Sequence, residues 1–152
     1  MGGAMSATVP RTPMTGIGRV LVIVYAVMAL AATGRSFVQI VRQFGDAPLA
    51  YTLSALAAVV YVLATLALVF ARRRGWYTVA WIAIVFELTG VLVVGALSVF
   101  LPDLFPHDTV WSMFGRGYVF IPLVLPVFGI WWLRTHRPIS DEAQPVPAGV
   151  TA

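Results

Sequence analysis

The sequence predicts an all-α membrane protein, an up-down bundle of four transmembrane helices, and three observations predict it. Hydrophobic residues make up 60% of the chain against 11% charged, with a mean hydropathy of +0.90. That leaves too little polar surface to coat a soluble globule of 152 residues. Four stretches are long and apolar enough to cross about 30 Å of hydrocarbon as helices, a form that satisfies its own backbone hydrogen bonds there. The ten basic residues are all Arg, and they punctuate the apolar runs instead of forming a patch, so the net charge of +4 does not read as nucleic-acid binding. The chain has no Cys, which excludes disulfide and thiolate chemistry.

Residues 1–15 and 138–152 are rich in Pro, Gly, Ala, Ser and Thr without apolar periodicity, and read as disordered cytoplasmic tails around a transmembrane domain at 16–137. The first helix is expected over about 18–40. Its uncharged part is the 15 residues between Arg19 and Arg35, too short for the hydrocarbon, so Arg35 belongs within the last turn or so. A rival reading exists, because Arg11 and Arg19 before an apolar core and the Ala29-Leu30-Ala31 pattern imitate a secretory signal. Apolar residues continuing through Phe37, Val38, Ile40 and Val41 favour a retained helix.

The second helix is expected over 49–71, where no charge falls between Asp46 and Arg72. The third, over 76–101, carries the single charge Glu87, with Trp76, Tyr77 and Phe100 placed as interfacial anchors. The fourth, over 117–133, has 17 uncharged residues, just enough to span, with Trp131 and Trp132 before Arg134. Pro122 and Pro126 are expected to kink it. Counting Arg in the loops puts Arg11, Arg19, Arg72, Arg73, Arg74, Arg134 and Arg137 on one side against Arg35, Arg42 and Arg116 on the other. The positive-inside rule then places both termini in the cytoplasm.

In the outer loop, Asp108 is positioned to cap a short interfacial helix carrying Val110, Trp111, Met113 and Phe114, with Gly115 to stop it. Asp103, His107 and Asp108 are a possible metal set, but three ligands in a flexible hexad read better as solvated loop residues. No metal and no cofactor is expected.

An ionisable group inside a spanning helix faces the bundle interior and wants a partner. Glu87 lies roughly 16 Å from Trp76, near the midplane, and shares its face with Ala80, Ala83, Gly90 and Ser98. Small residues mark a close packing face. On the second helix Ser54, Ala58, Tyr61 and Thr65 form one polar and small stripe, with Tyr61 at a depth similar to Glu87, so a Tyr61 to Glu87 hydrogen bond is expected. The first helix presents Arg35, Gln39 and Arg42 above Met28, Ala31 and Ala32. Arg35 leans towards the midplane and is predicted to pair with Glu87; the alternative is that Arg35 snorkels to lipid phosphate while Glu87 bonds only to hydroxyls. Ser54, Thr65, Gln39 and Arg116 are candidate supporting polar groups.

No phosphate loop, nucleophile with a His base, or HExxH-type helix appears, so an enzyme is not expected. The stretches Gly34-Arg35-Ser36-Phe37-Val38-Gln39, Ala47-Pro48-Leu49-Ala50-Tyr51, Phe86-Glu87-Leu88 and Gly115-Arg116-Gly117-Tyr118 resemble uncharacterised four-span membrane proteins of actinobacteria. The resemblance covers roughly 19–134 and implies a bacterial plasma membrane, with no activity attached. The leading expectation is a non-enzymatic accessory or scaffold subunit of a membrane complex. The alternative is a small oligomeric transporter or channel that uses Glu87 for proton or cation coupling. The partners expected are the lipid bilayer and other membrane proteins or further copies of the chain.

Overall fold

A computed structural model describes residues 16–138, which include no strand. The tail expected at 1–15, and that expected at 138–152 apart from Pro138, lie outside the described residues. Helices α1 (Gly16–Gln43), α2 (Pro48–Val69) and α3 (Arg74–Phe100) are joined by short connections and are each long and apolar enough to cross a membrane. Short connections make consecutive helices antiparallel neighbours. Pro48 opens α2 in its first turn, where its missing N–H costs nothing. A fourth helix, α4 (Ile121–Thr135), follows a connection that contains the 3-10 turns Pro102–Leu104 and Ser112–Tyr118. α1 packs on α2, α2 on α3, α3 on α4, and α4 touches α1, which closes a ring.

The buried positions follow a heptad spacing in each long helix. In α2 they include Ala50, Ser54, Ala57, Tyr61, Ala64 and Leu68; in α3 Ala80, Ile84, Glu87, Val91, Val94 and Ser98; in α1 Gly18, Leu21, Tyr25, Met28 and Ala32. Steps of three and four residues keep one seam facing the neighbours, as in left-handed bundles. Much of that seam is Ala, Gly or Ser, which lets backbones approach where lipid gives no hydrophobic drive for association. Large side chains such as Leu30, Phe37, Leu56, Phe86 and Leu92 point outward. This is the pattern of a bundle solvated by hydrocarbon.

The last helix departs from the one expected over 117–133. α4 begins at Ile121, and its 15 residues reach only about 22 Å. Two contacts fix its level. Tyr77 Oη donates to the Leu133 carbonyl at 2.7 Å, and Gly129 abuts Ile84 and the Tyr25 hydroxyl. Antiparallel to α3 in that register, Ile121 lies near residues 90–92, well short of Phe100. Beyond Ile121 the connection packs along α3 instead, and its second 3-10 turn meets α4 at a bend of 98°. Pro122 accordingly sits in the first turn of α4 and does not kink a longer helix, whereas Pro126 is inside α4 and withholds an N–H from the Pro122 carbonyl.

The connection is not the interfacial helix expected there. Val110, Trp111 and Ser112 are fully buried. Thr109 N–H donates to Ser112 Oγ at 2.8 Å and Trp111 N–H to Thr109 Oγ1 at 3.1 Å, so Asp108 does not cap it. Met113, Phe114, Gly115, Val119 and Phe120 all take left-handed backbone angles, with φ of 48°, 60°, 81°, 55° and 59°. Non-glycine residues there cost on the order of 1 kcal/mol or more each. Ser98 Oγ of α3 accepts the Met113 N–H at 2.7 Å, and the Phe120 N–H reaches the Gly115 carbonyl at 3.1 Å. Two α3 glycines receive the segment: a Cβ on Gly90 would lie 2.6 Å from the Trp111 ring, and one on Gly95 2.6 Å from the Phe114 ring. Gly90 is ten residues before the end of α3, so Trp111 descends about 15 Å below that end. Irregular backbone at such depth is tolerated where protein encloses it, and Thr109 to Ser112 are enclosed here.

Candidate functional site

Glu87 is fully buried near the middle of α3. The heptad seam aims it inward, while Val85 and Phe86 beside it are exposed. Its Oε2 accepts a hydrogen bond from Tyr25 Oη of α1 at 2.8 Å. Its Oε1 is buried and has no hydrogen-bond partner among the described residues. Tyr61 of α2 stands beside this pair, its ring 6.3 Å from that of Tyr25. The Tyr61 hydroxyl accepts the indole N–H of Trp111 at 3.2 Å. One carboxyl is thus enclosed by side chains from α1, α2 and the re-entrant segment, and Trp111 stacks edge-on to Phe86 at 6.5 Å to close the outer side.

Glu87 and Tyr61 therefore come together as expected, with Tyr61 in hydrogen-bonding reach of the carboxyl; the short hydrogen bond on the carboxylate comes from Tyr25, and the Tyr61 oxygen also accepts from Trp111. The predicted Arg35 to Glu87 ion pair is not formed. Arg35 Nη2 donates to the Asp108 carbonyl at 2.7 Å, and its guanidinium lies 5.9 Å from the Tyr118 ring centre. The connection before α4 supplies Arg35 with a backbone acceptor and places Trp111 beside Tyr61, while the buried Arg35 Nε has no hydrogen-bond partner among the described residues.

The supporting residues divide likewise. Ser54 is fully buried on the expected face with Oγ unpartnered among the described residues, and Gln39 Oε1 is in the same condition. Thr65 Oγ1 bonds back to the Tyr61 carbonyl at 2.7 Å, which satisfies it within its own helix. Arg116 is exposed and reaches Met113 Sδ at 3.7 Å, away from the carboxyl. Arg42 is exposed as well. His107 stacks on Tyr51 with ring centres 5.9 Å apart, and no group of three potential metal ligands occurs among the described residues.

Two residues of the cluster, Tyr25 and Trp111, lay outside the sequence prediction. Tyr25 had a signal: it lies on the stripe Gly18, Leu21, Met28, Ala32 and Ser36 as its one aromatic, hydroxyl-bearing member. Trp111 had none beyond its proximity to Ser112 and Gly115, because its position depends on the left-handed backbone around it. The arrangement can hold a proton or a small cation at Glu87 Oε1, or pin three elements in register. Compared with known protein families, with curated proteins and with solved structures, the chain matches none.

Proposed function

We propose that the chain is a non-enzymatic multi-pass protein of a bacterial plasma membrane that serves as an accessory subunit of a membrane complex, with the Glu87 cluster as its internal pin. In this reading the fourth crossing is made jointly by the re-entrant segment and α4, and the Arg-rich 72–74 loop faces the cytoplasm together with both ends of the chain. The observation that carries the reading is the enclosure of Glu87, which is wholly buried, held by Tyr25 on one oxygen and sealed by Trp111 against Gly90. A carboxyl packed so closely fixes helix register better than it exchanges a ligand. The bacterial location rests on the sequence resemblance, and the orientation on the Arg asymmetry.

A second reading, proton or cation transport through Glu87, is favoured by two specific observations: the unpartnered Oε1 and the broken fourth span beside it. Affinity purification in mild detergent, run beside flux measurements in reconstituted vesicles, separates the two. A stoichiometric partner recovered equally with wild type and Glu87→Gln, and no flux from either, is the expected result. Self-association alone, with proton or cation flux that Glu87→Gln abolishes, overturns the accessory reading in favour of transport.

A further inference from the structure

The end of the bundle opposite the re-entrant segment carries a pocket of about 460 Å³ that the Glu87 cluster does not use. It is lined by Arg74, Tyr77, Thr78 and Trp81 of α3 and by Arg137 and Pro138 just beyond α4. Local structure explains the shape. Tyr77 Oη is tied to the Leu133 carbonyl, which draws the start of α3 against the end of α4, and Thr78 Oγ1 turns back onto the Arg74 carbonyl at 3.2 Å. The first turn of α3 contains no acidic residue and no side-chain cap, so its N–H groups present the positive end of the helix dipole at the mouth.

Among the described residues, charge at this end has one sign. Arg19, Arg72, Arg73, Arg74, Arg134 and Arg137 all belong to it, whereas the described carboxylates are Asp46, Asp103 and Asp108 at the far end and Glu87 in the interior. We propose that this pocket binds the headgroup of an anionic phospholipid. The order of the lining residues selects a lipid over a free anion. Arg74 and Arg137 stand outermost, Tyr77 and Thr78 one turn further in, and the half-buried Trp81 about 10 Å deeper than Arg74. Phosphate, glycerol and the start of the acyl chains follow one another in the same order. Basic pockets between membrane helices at the headgroup level are suited to this chemistry.

The test uses the full chain, so that Asp141 and Glu142 beyond the described residues compete as they do in the intact protein. Detergent-solubilised protein is titrated with phosphatidylglycerol or phosphatidylcholine, and bound lipid is counted by native mass spectrometry. Phosphatidylglycerol should bind roughly tenfold or more tightly, on the scale of two arginines near a phosphate. Arg74→Gln with Arg137→Gln should erase the preference, while Arg42→Gln with Arg116→Gln at the other end should keep it. Circular dichroism of each variant confirms that it is folded; if the double variant is not, Arg137→Gln alone should reduce the preference. Equal binding of the two lipids to wild type, or a preference that survives loss of both arginines, overturns the proposal. Full competition by free glycerol phosphate would overturn its lipid form, because the acyl-facing wall would then contribute nothing.

Discussion

Gly90→Ala is the perturbation that most directly interrogates the re-entrant segment, because two effects of opposite sign compete at that position. In a helix interior Ala is favoured over Gly by about 0.5–1 kcal/mol, so the change stabilises α3 if nothing occupies the space beside it. In the structure a Cβ there would lie 2.6, 2.8 and 2.9 Å from three carbons of the Trp111 ring, and ordinary contact starts at 3.4 Å. The ring would have to withdraw by roughly 0.8 Å. It is fully buried and tied to Tyr61 through its N–H, so the retreat strains a packed core at a cost of about 1–3 kcal/mol. The net expectation is a loss of about 1 kcal/mol, read from thermal or SDS-driven unfolding in micelles. Gly34→Ala, where a Cβ meets nothing, should be neutral or stabilising and calibrates the propensity term. With Trp111→Leu in the background the ring is gone, and Gly90→Ala should turn neutral or stabilising, a coupling of at least about 1 kcal/mol. If Gly90→Ala stabilises the wild type as much as Gly34→Ala does, Trp111 does not sit at that depth and the fourth crossing has been misdescribed.

The hydrogen bond between Tyr25 and Glu87 should appear in a Tyr25→Phe and Glu87→Leu double-mutant cycle as a coupling of about 0.5–2 kcal/mol in the same unfolding assay, and a value near zero would remove it from the cluster. Arg35→Gln deletes the donor to the Asp108 carbonyl. Hydrogen exchange over 105–118 should then quicken by roughly tenfold with α2 and α3 unchanged, and Glu87→Gln should leave exchange at Arg35 unaltered because the two side chains do not pair. The absence of native Cys permits single reporters: Pro106→Cys and Arg73→Cys should be labelled by a membrane-impermeant thiol reagent from opposite faces of the membrane. Labelling of both from one face would refute an odd number of crossings between them.

The long helices were legible because their signal is redundant. Asp46, the triple Arg at 72–74 and Asp103 bracket apolar runs, so the observed ends of α2 and α3 fall within two residues of those read from charge alone. Inward faces were legible for a related reason: a midplane carboxylate and a line of small residues have nowhere favourable to go but towards protein, and Ser54, Ala58, Tyr61, Ala80, Ala83 and Glu87 are all buried. What failed was the inference from depth to partnership. Arg35 and Glu87 are separated along the axis by a distance that two side chains span in an empty bundle, and the bundle is not empty. Trp111, expected on a short interfacial helix, stands inside it beside Tyr61.

That filling was hidden because its backbone contradicts its composition. Val119, Phe120, Met113 and Phe114 have no intrinsic preference for left-handed angles, and an apolar run ending in Trp131 and Trp132 reads naturally as one helix from Gly117 onward. The strain is offset by contacts made after folding: Ser98 accepting the Met113 N–H, Trp111 seated on Gly90 and Phe114 on Gly95, with Trp111 also donating to Tyr61 and Arg35 to the Asp108 carbonyl. The first three partners are on α3, the helix that carries Glu87. Burying the carboxyl and forming the segment are therefore one event: the segment needs α3 to hold its backbone, and Glu87 needs Trp111 and Tyr61 to close its outer side. A variant that releases the segment should expose Glu87 and free Arg35 and Tyr61 of their partners in it, while the direct packing of α1 on α2, including the Tyr25 and Tyr61 rings, persists.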